Sequence, residues 1–369
     1  MLLRKDVWHA VADDGRAAIA IAITAATSIE KAGNQPDDCC VLQRLFIIVE
    51  IFSLIGLVLA VSVGRDYWAL DLLTFFWTLV IAFAVLVLLI SVFFPGPVVK
   101  IVAVVAVGIS CVPIIRMPPG PDGAARHTFR LITANLFVEN RDPREFVAFL
   151  IRQQPDIVVT QETTPAFQEA IRHSGLFPFE SSGDLRARDD KKVFSRFPVR
   201  EETPVAEPAG SVPLARHPLR LLLDTPSGPV VLYAVHPESP RSPERWRQRN
   251  LYLEALTQSV LLEPKALPVI VAGDWNTPPW SGYFRDFFER TGYRSVLGRP
   301  WPATTRFLMR LQNYVLFGAA IDHVALSPGL TMSQWKVGPK FGSNHLPVVV
   351  DIGLKQATAL AQRRQPAGG

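Results

Sequence analysis

The sequence contains little cysteine and little charge. Its three cysteines, Cys39, Cys40 and Cys111, all precede residue 118, so the rest of the chain has neither an internal disulfide nor a cysteine-based metal site. Charged residues make up only 19% of the 369 residues, whereas hydrophobic residues make up 49%. This composition excludes a disordered chain and disfavours a wholly soluble protein. The excess of apolar residues must therefore be concentrated somewhere.

Charge is almost absent from three runs within residues 41–116. Leu72–Phe94 and Ile101–Ile115 are uncharged, and Leu45–Val63 contains only Glu50. Because a helix needs about 20 apolar residues to cross a bilayer core, we predict three transmembrane helices and a chain that resides in a membrane. Buried helices of a large soluble protein are the weaker alternative, since uncharged runs of this length are rare there. We assign Glu50 a structural role.

The composition also predicts domain boundaries. Residues 1–40 form an N-terminal segment, and the proline- and glycine-rich residues 117–127 form a linker after the transmembrane region. Short apolar strands then alternate with amphipathic helices over 128–355, which indicates one α/β domain, and residues 356–369 form a flexible tail. Basic residues flank the predicted spans in similar number on both sides, so the positive-inside rule assigns no orientation.

Six apolar runs of the C-terminal part end or begin at a residue that can bind a metal ion or a phosphate group. These residues are Asn135, Glu162, His236, Asp274 with Asn276, Asp322, and Asn344 with His345. A single polar residue at a strand end has an ordinary explanation, because turns favour Asn and Asp for backbone hydrogen bonding. Six such ends in one domain, with acids, amides and histidines all represented, favour a hydrolytic site in one cleft.

The ordered motifs resemble a known family. They are Thr-Ala-Asn135-Leu, Thr-Gln-Glu162, Ser195-Arg-Phe-Pro, Val-His236-Pro, Gly-Asp274-Trp-Asn276, Ile-Asp322-His-Val and Ser-Asn344-His345-Leu-Pro. In this order they are similar to the deoxyribonuclease I-like endonuclease/exonuclease/phosphatase family, and with the apolar helices to a membrane-anchored bacterial branch of it. The resemblance implies an α/β fold, a four-layer sandwich of two mixed β-sheets flanked by helices, and location in the bacterial inner membrane.

The resemblance also implies roles for these residues. Glu162, Asn135 and Asn344 would hold Mg²⁺ or Mn²⁺, hard cations that prefer oxygen ligands. The predicted catalytic residues are Asp274, Asn276, His345, Asp322 and His236. Asp274 would orient or deprotonate the attacking water, and Asn276 would donate a hydrogen bond to a phosphate oxygen. Asp322 would orient His345, which would bind the phosphate group, and His236 would contact the phosphate group or protonate the leaving oxygen.

One residue departs from the family pattern. The family usually has an aspartate where this chain has Asn344, so the cleft loses a negative charge there. An asparagine still offers a carbonyl oxygen to a metal ion or an amide to phosphate. The sequence leaves three consequences open: weaker metal binding, a single metal ion, or a catalytically silent phosphate-binding membrane protein.

The substrate is expected to be a phosphate ester of nucleic acid or of a lipid headgroup. Basic residues outnumber acidic ones after Met117, and Arg196 and Arg245 are predicted to bind substrate, which favours nucleic acid. A solvated basic helix face is an equally good account of the arginines around Arg245. The predicted function is a metal-dependent phosphodiesterase or nuclease anchored to lipid, with a phospholipid or inositol-phosphate hydrolase as the alternative and no protein partner inferable.

Overall fold

The computed structural model describes residues 38–94, 96–121, 125–182, 190–297, 303–307 and 317–355. The predicted N-terminal segment up to residue 37 and the predicted tail 356–369 lie outside these ranges. The chain divides into two compact units. The first comprises Met1–Met117 with Trp280–Gly282, and the second comprises Pro118–Pro279 with Tyr283–Gly369.

Helices make up the described part of the first unit. They are α1 (Asp38–Val63), α2 (Trp68–Leu73), α3 (Trp77–Ser91) and α4 (Pro97–Ile115), with single 3₁₀ turns at Gly64–Asp66 and Thr74–Phe76. Arg44–Asp66, Trp68–Ser91 and Pro97–Ile115 are long and apolar enough to cross a membrane. The prediction of three long apolar helices is therefore confirmed, with the second run divided into two consecutive helices.

The first unit buries small and aromatic side chains between its helices. Leu54, Trp77 and Ala106 belong to one buried cluster, and the Trp77 indole nitrogen donates a hydrogen bond of 2.9 Å to the Ser110 carbonyl oxygen. Large apolar side chains face outward, among them Phe52, which is 70% exposed, and Leu89, which is 60% exposed. Large exposed apolar side chains on a helical unit are typical of surfaces that contact a membrane or another protein.

The second unit begins with β1 (Ala125–Asn135), within the predicted linker, and alternates strands with helices. Its helices are α5 (Arg144–Gln153), α6 (Pro165–His173), α7 (Pro243–Leu262) and α8 (Gly282–Thr291), the last of which starts at the boundary between the units. Its further strands are β2 (Ile157–Gln161), β3 (Phe179–Glu180), β4 (Lys192–Ser195), β5 (Val199–Pro204), β6 (Leu219–Thr225), β7 (Gly228–Val235), β8 (Val269–Asp274), β9 (Arg294–Ser295), β10 (Arg306–Phe307), β11 (Gly318–Ala319), β12 (Asp322–Leu326), β13 (Leu330–Val337) and β14 (Val348–Lys355).

Two six-stranded sheets contain most of these strands. The first has the order β13-β14-β1-β2-β4-β3 and the second β5-β6-β7-β8-β12-β9, while β10 and β11 form a separate pair. In each sheet one neighbouring pair is parallel, β1 with β2 and β7 with β8, and the other pairs are antiparallel. The sheets are therefore mixed, as predicted.

Three apolar layers hold the four-layer sandwich together. Leu131 and Val350 of the first sheet and Leu232 and Ile270 of the second belong to one cluster between the sheets. The outer face of the first sheet packs against α5 and α6, and the outer face of the second packs against α7 and α8. Strands covered on both faces read as continuous apolar runs, which is why β2 and β8 lack polar alternation.

Candidate active site

The parallel pairs bring the predicted residues to one end of each sheet. Asn135 closes β1 and lies in register with Gln161, directly before Glu162. In the second sheet Val235 pairs with Gly273, so the next residues, His236 and Asp274, leave the same edge. Asp322 begins an antiparallel strand in register with Asp274. The parallel strands therefore end at the cleft, and the antiparallel strand that carries Asp322 begins there.

Glycine at position 273 permits this close approach. Its φ is +152°, and a Cβ atom there would overlap the carbonyl oxygen of Val235 on the neighbouring strand. Three described non-glycine residues in the left-handed region follow strand ends, and two of them, Glu162 with φ +52° and Asn276 with φ +46°, are predicted site residues; the third is Phe137 with φ +63°. Non-glycine residues adopt this conformation at an energetic cost, and such costs concentrate at functional sites.

Asn135 joins the two sheets across the cleft. Its side-chain nitrogen donates hydrogen bonds of 3.1 Å to Glu162 Oε1 and 3.1 Å to Asp274 Oδ2. Its side-chain oxygen Oδ1 accepts from the Phe137 backbone N–H, and the Val138 N–H donates to the other Glu162 oxygen. Two carboxylates, one from each sheet, are therefore held on either side of a single amide.

Asp274 lies at the centre of the cleft and is 1% exposed. Its Oδ1 accepts a hydrogen bond of 2.8 Å from the Asn276 backbone N–H. Its Oδ2 lies 3.8 Å from His236 Nε2 and 3.9 Å from His345 Nε2. Burial, and next the negative charge of Asp322, raise the pKa of Asp274, while the two histidines oppose the rise. A raised pKa makes this carboxylate a stronger base than a solvated one.

His345 and Asp322 form a buried pair. The Nδ1 atom of His345 lies 2.9 Å and 3.1 Å from the two Asp322 oxygens, and Asp322 is fully buried. Burial alone would lower the pKa of His345, but the Asp322 carboxylate and Asp274 outweigh it, so the pKa is raised. The Nδ1–H group of His345 donates its hydrogen bond to Asp322, and Nε2 is the ring atom directed at Asp274.

His236 forms a second pair with an acid that the sequence analysis did not include. Its Nδ1 lies 2.8 Å from Asp190 Oδ1 and 2.7 Å from a guanidinium nitrogen of Arg216. One ring nitrogen serves only one of these partners at a time, Asp190 when it carries a proton and Arg216 when it does not. Burial alone would raise the pKa of Asp190, but His236, Arg216 and Lys191 hold it below its usual range.

Arg216 is a mostly buried cation at this cleft. It also pairs with Asp190 at 3.2 Å and with Glu238 at 3.1 Å, and its side chain is 20% exposed. Glu162 contributes to its electrostatic environment. A guanidinium fixed by two carboxylates beside a predicted site histidine is suited to bind a phosphate oxygen.

Asn276 is fixed beside Asp274 by three contacts. Its side-chain nitrogen donates to the Pro237 carbonyl oxygen at 3.1 Å, and its own carbonyl oxygen accepts from Arg249 at 3.4 Å. Arg249 is completely buried and lies 5.4 Å from the centre of the Tyr283 ring. The first turns of α7 thus contribute one buried arginine that positions the Asn276 loop, in addition to exposed arginines.

The oxygen atoms of the cleft fit a hard divalent cation. Glu162 is partly exposed and presents a carboxylate, and Asn344 is 8% exposed with a side-chain oxygen that has no hydrogen-bond partner among the described residues. Ligand atoms of Asp274, Asp322 and His345 also lie within 4.8 Å of one another. Since Asp322 and His345 hydrogen-bond each other, that proximity is explained by their pairing, and the ligand set Glu162, Asn135 and Asn344 stays a prediction.

The structure does not bring Arg196 to the cleft. It follows β4, whose last residue, Ser195, pairs with Ile157 at the start of β2, so Arg196 lies at the opposite end of that strand from Glu162. Its guanidinium donates to Gln154 and approaches Asp156. Arg245 lies in the first turn of α7, is 55% exposed and approaches Glu238 at 3.7 Å. Arg245 is therefore near the cleft only through the acid that Arg216 also contacts.

Sequence reasoning missed Asp190 and Arg216. Both precede a strand of the second unit, as His345 does, but Asp190 stands in a charged run and Arg216 in a proline-containing loop. The signal that could have found Asp190 is its position at the start of β4, the antiparallel neighbour of β2. Arg216 offers no comparable signal, because only the fold brings it to His236.

Comparison with known proteins agrees with this arrangement. A family model described as the Endonuclease/Exonuclease/phosphatase family matches residues 132–345, more than half of the chain. No curated protein matches the chain significantly in sequence.

Solved structures resemble the fold of the second unit. D. rerio TDP2 complexed with single strand DNA product matches with a TM-score of 0.52 and 18% identity, over 62% of this chain and 100% of that one. An endonuclease/exonuclease/phosphatase from Beutenbergia cavernae DSM 12333 matches with a TM-score of 0.49 and 20% identity, over 63% of this chain and 73% of that one. The human Nocturnin catalytic domain with bound sulfate anion matches with a TM-score of 0.49 and 18% identity, over 66% of this chain and 99% of that one. At these identities the likeness concerns the fold alone.

Proposed function

Since the chain belongs to the endonuclease/exonuclease/phosphatase family, we propose that it is a membrane-anchored, divalent-metal-dependent phosphoric-ester hydrolase, most specifically a phosphodiesterase or nuclease. The observation that carries the proposal is the approach of both His236 Nε2 and His345 Nε2 to within 3.9 Å of Asp274 Oδ2. A buried carboxylate between two histidines supplies a base and two groups that bind or protonate phosphate oxygens.

Asp274 accepts a proton from the attacking water in this proposal. Its pKa is raised by burial, so the carboxylate gains basicity without losing its position, which the Asn276 N–H and Asn135 fix. His345, held at Nδ1 by Asp322, presents Nε2 to a phosphate oxygen. Arg216 and Asn276 provide further donors for the negative charge that develops on the phosphoryl group.

His236 protonates the leaving oxygen. The Asp190 carboxylate accepts from its Nδ1, which leaves Nε2 as the atom that faces the reacting group. A positioned acid of this kind contributes about 10²–10⁴-fold to the rate.

Glu162, Asn135 and Asn344 would hold Mg²⁺ or Mn²⁺. The unpartnered, buried oxygen of Asn344 and the partly exposed carboxylate of Glu162 support this assignment, since Mg²⁺ retains several waters and takes few protein ligands. The bound cation would polarise the phosphoryl group and offset its charge.

A hydrolase of phospholipids or inositol phosphates is the second candidate. The three apolar helices support it, because an anchored domain stays near lipid headgroups. The exposed arginines at the start of α7 give weaker support to nucleic acid than their number suggests, since Arg245 and Arg247 lie near Glu238 and Glu244. Attachment to the bacterial inner membrane is part of the proposal.

The experiment uses the full chain in lipid nanodiscs. Turnover of a chromogenic aryl phosphodiester, of plasmid DNA and of sphingomyelin is measured with Mg²⁺, with Mn²⁺ and with a chelator. We expect metal-dependent hydrolysis, and for a nuclease a steep fall in DNA binding as salt rises. If the folded chain hydrolyses no ester in any metal, while Asn344→Asp restores turnover, the chain is a silent phosphate-binding protein and the proposal is wrong.

A further inference from the structure

The first unit contains a cavity of about 390 Å³ between its helices. Its lining comes from all four helices and includes Glu50, Ser53 and Gly56 of α1, Phe83 of α3 and Ala103 of α4. An engineered cavity of about 150 Å³ is large enough to bind benzene. The volume here therefore accommodates a hydrocarbon chain.

Glu50 is the charged residue of this lining. Its side chain is 4% exposed, and among the described residues neither carboxylate oxygen has a hydrogen-bond partner. Lys100, on α4, is exposed and does not line the cavity. Buried polar groups in proteins are almost always hydrogen-bonded, and an unpartnered carboxylate in an apolar region carries a large desolvation cost.

A ligand with two properties would remove this cost. A hydrocarbon body would fill the apolar part of the cavity, and a cationic head would donate a charge-assisted hydrogen bond to Glu50. We propose that the cavity between α1, α2, α3 and α4 is a binding site for a lipophilic ammonium compound, with the alkyl chain along Phe83 and the ammonium group on Glu50. The cleft of the second unit plays no part in this site.

The matched alternatives differ in the head group. An alkane of the same chain length would use the cavity without Glu50, and a long-chain alcohol would donate one neutral hydrogen bond. Since hydrogen bonds to charged groups are stronger than those between neutral groups, the ammonium compound is expected to bind at least about twofold more tightly than the alcohol.

The test is photo-crosslinking of the full chain in nanodiscs. The probe is a dodecylamine with a photoactivatable group near the end of its chain, and the competitors are dodecylamine, dodecanol and dodecane. We expect crosslinks at cavity-lining residues such as Phe83, displaced by dodecylamine at a concentration at least about twofold below that needed for dodecanol.

Three variants sharpen the result. Glu50→Gln keeps the shape of the side chain and removes its charge, so competition by dodecylamine should weaken about tenfold while dodecanol is little affected. Gly56→Leu fills the cavity, since a Cβ atom at Gly56 meets no atom within 4 Å, and should abolish crosslinking at Phe83. Asp66→Asn, which changes an exposed acid outside the cavity, is the control and should behave as the wild type.

Several results would overturn the proposal. Crosslinks at outward-facing residues such as Phe52 and none in the cavity would show only partitioning into lipid. Equal competition by dodecylamine in the wild type and in Glu50→Gln would remove the role of the carboxylate. Absence of crosslinks because residues 1–37 or a second copy of the chain occupies the cavity would likewise contradict it. If Glu50→Gln does not fold, persistence of the crosslink in Gly56→Leu remains sufficient to refute the site.

Discussion

Two histidine–aspartate pairs approach the same oxygen of Asp274 from different surroundings. His345 pairs with Asp322, which is fully buried, whereas His236 pairs with Asp190, whose side chain is 26% exposed and also contacts Arg216. The distances from Nε2 to Asp274 Oδ2 are nearly equal, 3.9 Å and 3.8 Å. The geometry is thus almost symmetric, whereas the electrostatics are not.

The difference shows how one arrangement gives two roles. Burial opposes protonation of His345, but the charge and hydrogen bond of Asp322, together with the charge of Asp274, raise the pKa of that histidine. The charge of Asp190 is shared with Arg216 and Lys191, which keep Asp190 ionised. We therefore assign the protonated, phosphate-binding role to His345 and the role of proton donor to the leaving group to His236, whose Nδ1 atom is held by Asp190 and Arg216.

The largest effect is expected from breaking the buried pair. Asp322→Asn removes the charge that keeps His345 protonated and oriented, so kcat for an aryl phosphodiester should fall about 10²–10⁴-fold. Asp224→Asn on β6 is the matched control, since Asp224 lies at the end of its strand remote from the cleft and should leave kcat unchanged. A comparable loss in both variants would mean that the effect is one of folding.

A smaller loss is expected from breaking the exposed pair. Asp190→Asn leaves Arg216 bound to Glu238, and water can replace part of the lost contact, so kcat should fall about 10-fold to 10²-fold. Steady-state kinetics on the two aspartate variants compares the pairs directly. A fall in kcat as large as that of Asp322→Asn would contradict the difference between the two histidine–aspartate pairs.

The pH profile distinguishes the pairs by the position of its descending limb. The raised pKa of His345 means that its protonated form is present below that pKa and is lost as pH rises through it, so activity should decline there. Without the Asp322 charge the pKa falls, and in Asp322→Asn the limb should move to lower pH by about one unit or more. An unmoved limb would assign it to another group.

Arg216→Lys tests the guanidinium beside His236. A lysine cannot bind Asp190 and Glu238 in the forked geometry that arginine adopts, so KM for the diester should rise about tenfold with a smaller change in kcat. The control is Arg220→Lys, a change on β6 at an arginine that pairs with Glu263. Steady-state kinetics on both variants compares their KM and kcat values. Unchanged KM would exclude Arg216 from substrate binding.

Arg245→Ala is expected to have the smallest effect. The side chain is mostly exposed, so turnover of the aryl diester should change less than about twofold. If DNA is the substrate, the slope of log affinity against log salt should decrease by about one. A large loss on the small diester would place Arg245 in the cleft itself.

Much of the fold could be predicted because local rules determine it. Uncharged runs identify the three long helices, and polar residues at the ends of apolar runs identify the strands that bear the site. Asn135, Glu162, His236 and Asp274 meet because each ends or directly follows one strand of a parallel pair. The register of neighbouring strands then follows from the buried pattern.

The rest of the site depends on contacts distant in sequence. Asp190 and Arg216 reach His236 from loops, and Arg216 in particular carries no signal in the sequence. Arg196 stands in the ordered motif set, yet β4 runs antiparallel to β2, so its last residue lies at the wrong end of the sheet. Arg249 looks like its exposed neighbours in the sequence, but it is buried under the Asn276 loop.

In the proposed mechanism, Asp274 and the two histidines act on one reacting group. The most direct test measures kcat/KM of the full chain for an aryl phosphodiester with Mg²⁺ in the wild type, Asp274→Asn, His345→Gln and the double variant. Residues that act as a unit are strongly non-additive, so the double variant should be about as slow as the slower single variant. A loss equal to the product of the two single losses would contradict the claim.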